Sequence, residues 1–332
     1  MKLPSIDELE VSGKRILVRG DLDVDVDGIP VDDNRLDKLL LTINKLIKEG
    51  ASKIIILGHR GRPTEREDNL STKYLCRWFE EKLGEPVHFM SDFGDEQAAR
   101  IVVFENLRFW EGEESNSLEF AQNLAKLGEV FVNDAFATSH RAHASLVGVA
   151  KLLPHAAGQQ LLQEIKYLSM VLNNPTRPVV FVISGIKEDK LSYVDAFEKI
   201  ADKILIAGRL PEYLGDTQPG GAKLVARLLP DKEDITIHSI ESFEEVIKEA
   251  GTVVVSGPIG KFEEEGHRMG TKRVFKAITE SHAFKLAGGG DTEEAIKLLN
   301  LEDKFDWIST GGGAMLDFLA NGSLPGIDAL LH

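Results

Sequence analysis

Three neighbouring stretches decide the fold: KRILVRGDLDV at residues 14–24, DNRLDKLLLTINKLIK at 33–48 and KIIILG at 53–58. The first and third carry runs of Ile, Leu and Val, Arg15–Val18 and Ile54–Leu57, with no polar residue alternating through them. That is how a strand buried on both faces reads. Between them, Asp33–Lys48 repeats its leucines and isoleucines at helical spacing. A strand, a helix and a second buried strand make a parallel unit with its crossover helix covering the sheet.

The same alternation continues outward. Strand candidates follow at Ile101–Phe104, Val130–Val132, Val179–Ile183, Ile204–Ile206, Ile235–Ile237, Val253–Val255, Ala283–Ala287 and Phe305–Ile308. Helix candidates lie at Ser71–Leu83, Ser117–Leu127, Glu241–Glu249 and Thr292–Leu299. So many strands fit two sheets better than one. The boundary falls between Pro154 and Arg177, where GQQLLQEIKYLSMVLNN reads as a helix and PTRP breaks it. The expected fold class is α/β: two doubly wound parallel-sheet domains joined by a connector helix and hinge. Residues 1–157 form the first domain, 158–175 the connector and 176–319 the second domain.

Composition narrows the function. The chain has 332 residues, 42% hydrophobic and 28% charged, with net charge −15. These values describe a folded globular chain and set aside a general nucleic-acid or anionic-membrane binder. No stretch approaches the ~18 apolar residues of a membrane span and no signal peptide opens the chain, so a soluble, cytoplasmic protein is expected. The single cysteine, Cys76, leaves no intramolecular disulfide and reads as helix filler in YLCRWFEEKL.

In parallel α/β sheets ligands bind beyond the carboxyl ends of the strands. The loops after the first four strands deliver His59, Arg62, Arg108, His140, Arg141 and His143, and Arg35 opens the first long helix. Arginine forks match carboxylate and phosphate oxygens, so one edge of an acidic protein is equipped for a small polyanion. His140-x-x-His143 without further ligands is a weak metal pattern. The second half has glycine-rich strand exits: Ser184-Gly185, Ala207-Gly208, Ser256-Gly257, Gly288-Gly289-Gly290-Asp291-Thr292 and Thr310-Gly311-Gly312-Gly313. Glycines let backbone N–H groups approach phosphate oxygens, and the following helix N-terminus favours negative charge. Asp291 there suits Mg²⁺ bridging phosphates, and Thr292 can offer its hydroxyl or N–H. There is neither a Walker-type P-loop nor a dinucleotide fingerprint. An anion-binding half and a nucleotide-binding half make the layout of phosphoryl transfer with closure. Lys187 and Lys190 are the cations suited to the phosphoryl group, with Arg35.

The segments KRILVRGDLDV, DDNRLDKLLLTI, GHRGRP, ENLRFWEGEESN, VNDAFATSHRAHAS, SGPIGKFE, GGGDT, STGGGAMLDFL and LPGIDAL, in this order, resemble the phosphoglycerate kinase family over nearly the whole chain. The resemblance implies phosphoryl transfer between 1,3-bisphosphoglycerate and Mg-ADP, with Mg²⁺ as cofactor, by a monomer without nucleic-acid or membrane partners. It implies phosphoglycerate on Asp21, Asp23, Arg35, His59, Arg62, Arg108 and Arg141. On the nucleotide side it implies Gly185, Lys187, Lys190, Gly208, Ser256, Gly288, Gly289, Gly290 and Thr292, with Glu263 on the ribose and Asp291 on the metal. Catalytic roles would fall to Arg35, Lys187, Lys190, Gly289 and Gly312. Residues 320–332 would return to the first domain.

Departures from the family pattern are specific. Asp23 stands where the family has Asn, Asp25 where it has Pro, Arg209 where it has Gly, and Ser256 where it has Asn. An added carboxylate at residue 23 repels an anionic substrate unless it is neutralised. Lys187 and Lys190 are three apart rather than four, and the segment from Gly208 to Thr252 is much shorter than in the family. A relative with an altered phosphoryl donor, or one that binds without turnover, therefore stands beside the working kinase as an alternative.

Overall fold

Ile16, Leu17 and Val18 are fully buried, as are Ile54, Ile56 and Leu57. They form the centre of a six-stranded sheet in the order β3-β4-β2-β1-β5-β6, and every pairing is parallel. The strands are β1 (Arg15–Gly20), β2 (Lys53–Leu57), β3 (Val87–Met90), β4 (Ile101–Phe104), β5 (Val130–Asp134) and β6 (His155–Ala157). Their helices are α1 (Asn34–Lys48), α2 (Cys76–Leu83), the single turn α3 (Glu111–Glu114), α4 (Leu118–Ala125) and α5 (Gln159–Asn173). The computed structural model describes residues 1–25, 34–95, 98–215 and 221–332. The helix start expected at Asp33 lies outside the described residues.

The second sheet has the order β12-β11-β10-β7-β8-β9, again wholly parallel. It comprises β7 (Val179–Gly185), β8 (Lys203–Gly208), β9 (Lys223–Val225), β10 (Thr252–Ser256), β11 (Phe284–Gly288) and β12 (Trp307–Ser309). Its helices are α6 (Val194–Phe197), α7 (Pro211–Leu214), α8 (Ile237–Lys248), α9 (Met269–Glu280), α10 (Gly290–Leu298) and α11 (Gly312–Asn321). The expected α/β class with two doubly wound parallel sheets is what the chain adopts. Val180, Val182, Val253 and Val255 pack with Phe243, Phe275 and Ile278 of α8 and α9 in its core.

By its contacts the chain divides into one unit of residues Met1–Ile165 with Ser323–His332, and another of Lys166–Gly322. The boundary falls within α5. The short helix α12 (Pro325–Asp328) is held to the first unit: the Gly326 N–H donates to the Ser139 carbonyl at 2.9 Å, and Asn133 Nδ2 donates to the Gly326 carbonyl at 3.1 Å.

One expected strand is absent. Ile235 makes only an isolated bridge to Leu228, and Thr236 caps α8, which starts at Ile237. The apolar run there is the lead-in to an amphipathic helix that buries Ile240, Phe243 and Ile247. Among the described residues no helix is long and apolar enough to cross a membrane.

Candidate active site

Because β1, β2, β4 and β5 are parallel, the loops leaving their carboxyl ends share one edge of the first unit. Asp21 follows β1 and is buried; its two oxygens accept the Ala137 N–H at 2.8 Å and the Thr138 hydroxyl at 2.9 Å, tying it to the loop after β5. Burial raises its pKa, and Arg19 and Arg35 oppose that rise. Asp23 turns Oδ1 to the Gly61 N–H at 2.7 Å and sets Oδ2 3.9 Å from His59 Nε2. Arg35, in the first turn of α1, donates to the Asp23 carbonyl at 2.6 Å. The extra carboxylate thus accepts one amide and stands near an imidazole, while the Arg35 guanidinium bonds the main-chain carbonyl of the same residue, so its negative charge keeps no direct cationic partner among these contacts.

The GHRGRP loop separates two arginines. Arg60 is buried and spends its donors on the carbonyls of Val24, Asn69 and Ser71 at 2.8–3.2 Å, whereas Arg62 is exposed. The first holds the loop; the second is available at its surface. Arg108 donates to the Gly61 carbonyl at 2.6 Å, and its Nε lies 2.9 Å from Glu114. His59 is buried, and its pKa falls well below the ordinary histidine value through that burial, with Arg19, Arg108, His143 and Arg141 adding to it. The structure thus gathers His59, Arg108, Arg141 and His143 with Asp21, Asp23 and Arg35. His140 lies on the same loop as Arg141. Among the described residues no group of three or more His, Cys, Asp or Glu is arranged for a metal ion.

In the second unit the strand exits line two adjoining pockets that share Gly185, Ile186, Lys190 and Asp291. One, of about 210 Å³, has an apolar wall of Pro258, Ile259 and Phe262, with Gly208, Arg209 and Glu263 also lining it. The other, of about 490 Å³, has Lys187, Ser256, Gly289, Gly312 and Gly313. An apolar slot opening onto a glycine-lined cradle suits a base and its phosphates. At the rim of the slot Arg209 and Lys232 both reach Glu212, at 2.5 and 2.8 Å, and hold its carboxyl down to about 2. This ion triad stands in the segment where the chain is short.

Two glycines are demanded by packing. A Cβ on Gly312 would come within 2.5 Å of the Gly289 Cα, so the two glycine loops touch backbone to backbone. A Cβ on Gly208, whose φ is +63°, would meet the Gly185 backbone at 2.7 Å. At Gly290 and Gly313, by contrast, a Cβ would meet no atom.

The two lysines part company. Lys190 is mostly buried, donating to the Ser184 carbonyl at 2.7 Å with Ser256 Oγ at 3.4 Å; burial lowers its pKa, and Asp291 opposes that. Lys187 is exposed and caps a 3₁₀ helix, Glu188–Tyr193. Lys187 is extended there (φ −95°, ψ 141°) while Lys190 lies within the helix, so the two side chains do not share a helical face. Of the two groups Thr292 offers, the hydroxyl is engaged within the protein: it accepts the Gly257 N–H at 2.8 Å and donates to the Gly288 carbonyl at 3.0 Å, bracing two strand exits. What remains for a phosphate is the amide edge of the first turn of α10. Asp291 is exposed in that turn. Asp189 lines the larger pocket with Asp291, and a carboxylate or two beside a phosphate cradle fits Mg²⁺, which takes one or two carboxylates with substrate phosphates rather than a protein cage.

Sequence reasoning passed over Arg19 and Glu113, both fully buried beneath this edge of the first unit. The available signal was an arginine inside an otherwise apolar strand.

A unit that offers arginines to an anion and another that offers glycine-lined strand exits to phosphates are the equipment of a two-domain phosphotransferase. The phosphoglycerate kinase family model matches residues 6–219 and 225–322. A phosphoglycerate kinase of Rubrobacter xylanophilus is 36% identical over 383 residues, covering 98% of this chain and 97% of the relative. That alignment is longer than the 332 residues here, so it opens gaps where the relative has additional residues. The structure of phosphoglycerate kinase from Coxiella burnetii is 30% identical with a TM-score of 0.85, covering 99% of each chain. That of Pyrococcus horikoshii OT3 is 28% identical with a TM-score of 0.85, covering 99% of this chain and 98% of the other. The chain belongs to the phosphoglycerate kinase family. Its enzyme class is accordingly that of a kinase.

Proposed function

We propose that the chain transfers a phosphoryl group reversibly between the acyl phosphate of 1,3-bisphosphoglycerate and Mg-ADP, giving 3-phosphoglycerate and Mg-ATP. The observation that carries this reading is the concentration of His59, Arg62, Arg108 and Arg141 with Arg35 at one sheet edge of a chain whose net charge is −15. In this assignment Arg62, Arg108 and Arg141 take the phosphoglycerate anion, and Asp21 and Asp23 accept from its hydroxyl. Arg35 serves the phosphoryl group in transit. Lys187 and Lys190 attend the nucleotide phosphates, with the amide edges of Gly289, Gly290 and Gly311–Gly313. Glu263 takes the ribose. Gly185, Gly208, Ser256 and Gly288 frame the pocket.

The attacking oxygen is a nucleotide phosphate or a carboxylate, both already ionised, so no general base is required. Catalysis rests on in-line alignment and charge neutralisation. Mg²⁺, held by Asp291 together with the phosphates, would supply further charge neutralisation there. The working form in this reading is a cytoplasmic monomer acting on small molecules, in keeping with its acidic surface.

The test is ATP-dependent phosphorylation of 3-phosphoglycerate, coupled to NADH oxidation by a glyceraldehyde-phosphate dehydrogenase, with GTP and other donors in parallel. Turnover with ATP supports the assignment. A folded chain that binds 3-phosphoglycerate but turns over no donor refutes it.

A further inference from the structure

Arg19 lies one residue from the end of β1 and is fully buried. A guanidinium there needs acceptors for its donors. Nε donates to Ser145 Oγ at 2.9 Å, Nη1 to the Gly20 carbonyl, and Nη2 lies 3.0 Å from His59 Nδ1. Ser145 continues the chain of bonds. Its hydroxyl donates to Glu113 Oε1 at 2.5 Å, and its N–H donates to Oε2 at 3.0 Å. Glu113 is fully buried and is the counter-charge to Arg19. Burial alone would raise its pKa, but His143, Arg19 and Ser145 outweigh that and hold the carboxyl below its ordinary value.

Arginine has donors only. The bond between Arg19 and His59 therefore forms in one way: Nδ1 accepts with its lone pair, and a neutral ring carries its proton on Nε2. Protonating Nδ1 would set N–H against N–H in a buried place. The groups around the ring agree. Arg19 faces it from β1, Arg108 from the loop after β4, and Arg141 and His143 from the loop after β5, all disfavouring a second proton. Asp23 Oδ2, after β1, stands 3.9 Å from Nε2 on the other side.

We propose that Arg19, anchored through Ser145 by Glu113, is a positioning residue that fixes His59 as the neutral Nε2–H tautomer, so that His59 meets a bound oxyanion as a hydrogen-bond donor and not as a charge. The identity of that oxyanion rests on the phosphoglycerate reading above; the tautomer does not. The division of labour follows. Charge neutralisation in this unit belongs to arginines, which do not titrate, and His59 adds direction to a ligand oxygen without making affinity switch as pH passes through the histidine range.

The full-length chain labelled with ¹⁵N at histidine tests this by two-bond ¹⁵N–¹H spectra from about pH 5.5 to about pH 8.5, spanning the ordinary histidine range. The His59 signals are identified by their loss in His59→Gln. The expected result is an unprotonated Nδ1 and a protonated Nε2 throughout. A ring that gains its second proton within that range, or carries its proton on Nδ1, overturns the proposal. The paired variant Arg19→Met with Glu113→Gln removes both buried charges together, so neither is left uncompensated. In it, a population of His59 carrying its proton on Nδ1 should appear, and KM for 3-phosphoglycerate should rise by up to about tenfold with a smaller change in kcat. An unchanged His59 spectrum in that folded variant also overturns the proposal. Adding 3-phosphoglycerate to the unsubstituted chain tests the substrate reading separately: the His59 Nε2 signal should move, and a still signal with the tautomer intact counts against the substrate alone.

Discussion

Replacing Gly290 by Ala should separate stability from nucleotide binding. The residue begins α10, its φ is not in the left-handed region, and an added methyl would meet no protein atom within 4 Å. Nothing in the fold therefore resists the change. Relief of glycine's unfolded-state entropy should add about 0.5 kcal/mol, a rise in Tm of roughly 1–2 °C for a unit of this size. Nucleotide binding should move the other way. A methyl on the phosphate-facing edge holds the ligand off by about an ångström and weakens one or two charge-assisted N–H bonds, each worth about 1.5–3 kcal/mol. Losing one such bond predicts an ADP Kd about 10- to 100-fold weaker, read by isothermal titration calorimetry beside a thermal melt. Gly312→Ala supplies the contrast: its methyl strikes the Gly289 backbone at 2.5 Å, so stability should fall by about 1–3 kcal/mol along with binding. If Gly290→Ala binds ADP as tightly as the unsubstituted chain, phosphates do not approach that amide edge and the nucleotide assignment is wrong.

Other outcomes follow from single groups. Arg35→Ala should lower kcat on the order of 100-fold with less than about a threefold change in KM; equal turnover would remove Arg35 from the transfer step. Asp23→Asn keeps an oxygen for the Gly61 N–H and removes one half-exposed negative charge, so 3-phosphoglycerate should bind equally well or up to about fivefold tighter. A large loss of turnover there would give the carboxylate its own task. Asp134 is buried at the end of β5, accepts the N–H of Leu161 in the first turn of α5 at 2.9 Å, and is pushed by burial up to about 7. Its folded form holds a proton that the unfolded chain releases near pH 4. Stability should therefore decline as pH rises from about 4 to about 7 and level off above, by no more than about 4 kcal/mol. Urea melts of Asp134→Asn against the unsubstituted chain should show that slope removed.

The architecture was legible because the central strands are unbroken apolar runs and the crossover helices have clear periodicity. The three strands that escaped notice, Val87–Met90, His155–Ala157 and Lys223–Val225, all lie at sheet edges. An edge strand is short, has one neighbour and needs no continuous apolar run. The false strand at Ile235 shows the converse, since a few β-branched residues before a helix imitate one. In the site, loop arginines could be found by type and position. Their division into framework and ligand roles, as between Arg60 and Arg62, depends on carbonyls supplied by distant loops. Arg19 was hidden for the same reason: its hydroxyl partner lies 126 residues away.

The placement of residues 323–332 in the first unit bears on how the protein is made. These residues leave the ribosome after every residue of the second unit. Until then Ser139, one residue before His140 and two before Arg141, lacks its bond to Gly326, and Asn133 Nδ2 has one of its two acceptors, Ser139 Oγ. The first unit is thus completed by residues translated after the whole of the second. A nascent chain or a prematurely terminated product can have a folded second unit and most of the first, with the loop that carries Arg141 tied to Asp21 but not to Gly326. Residues 323–332 take their places on the first unit only after the strands that line the nucleotide pocket have been made.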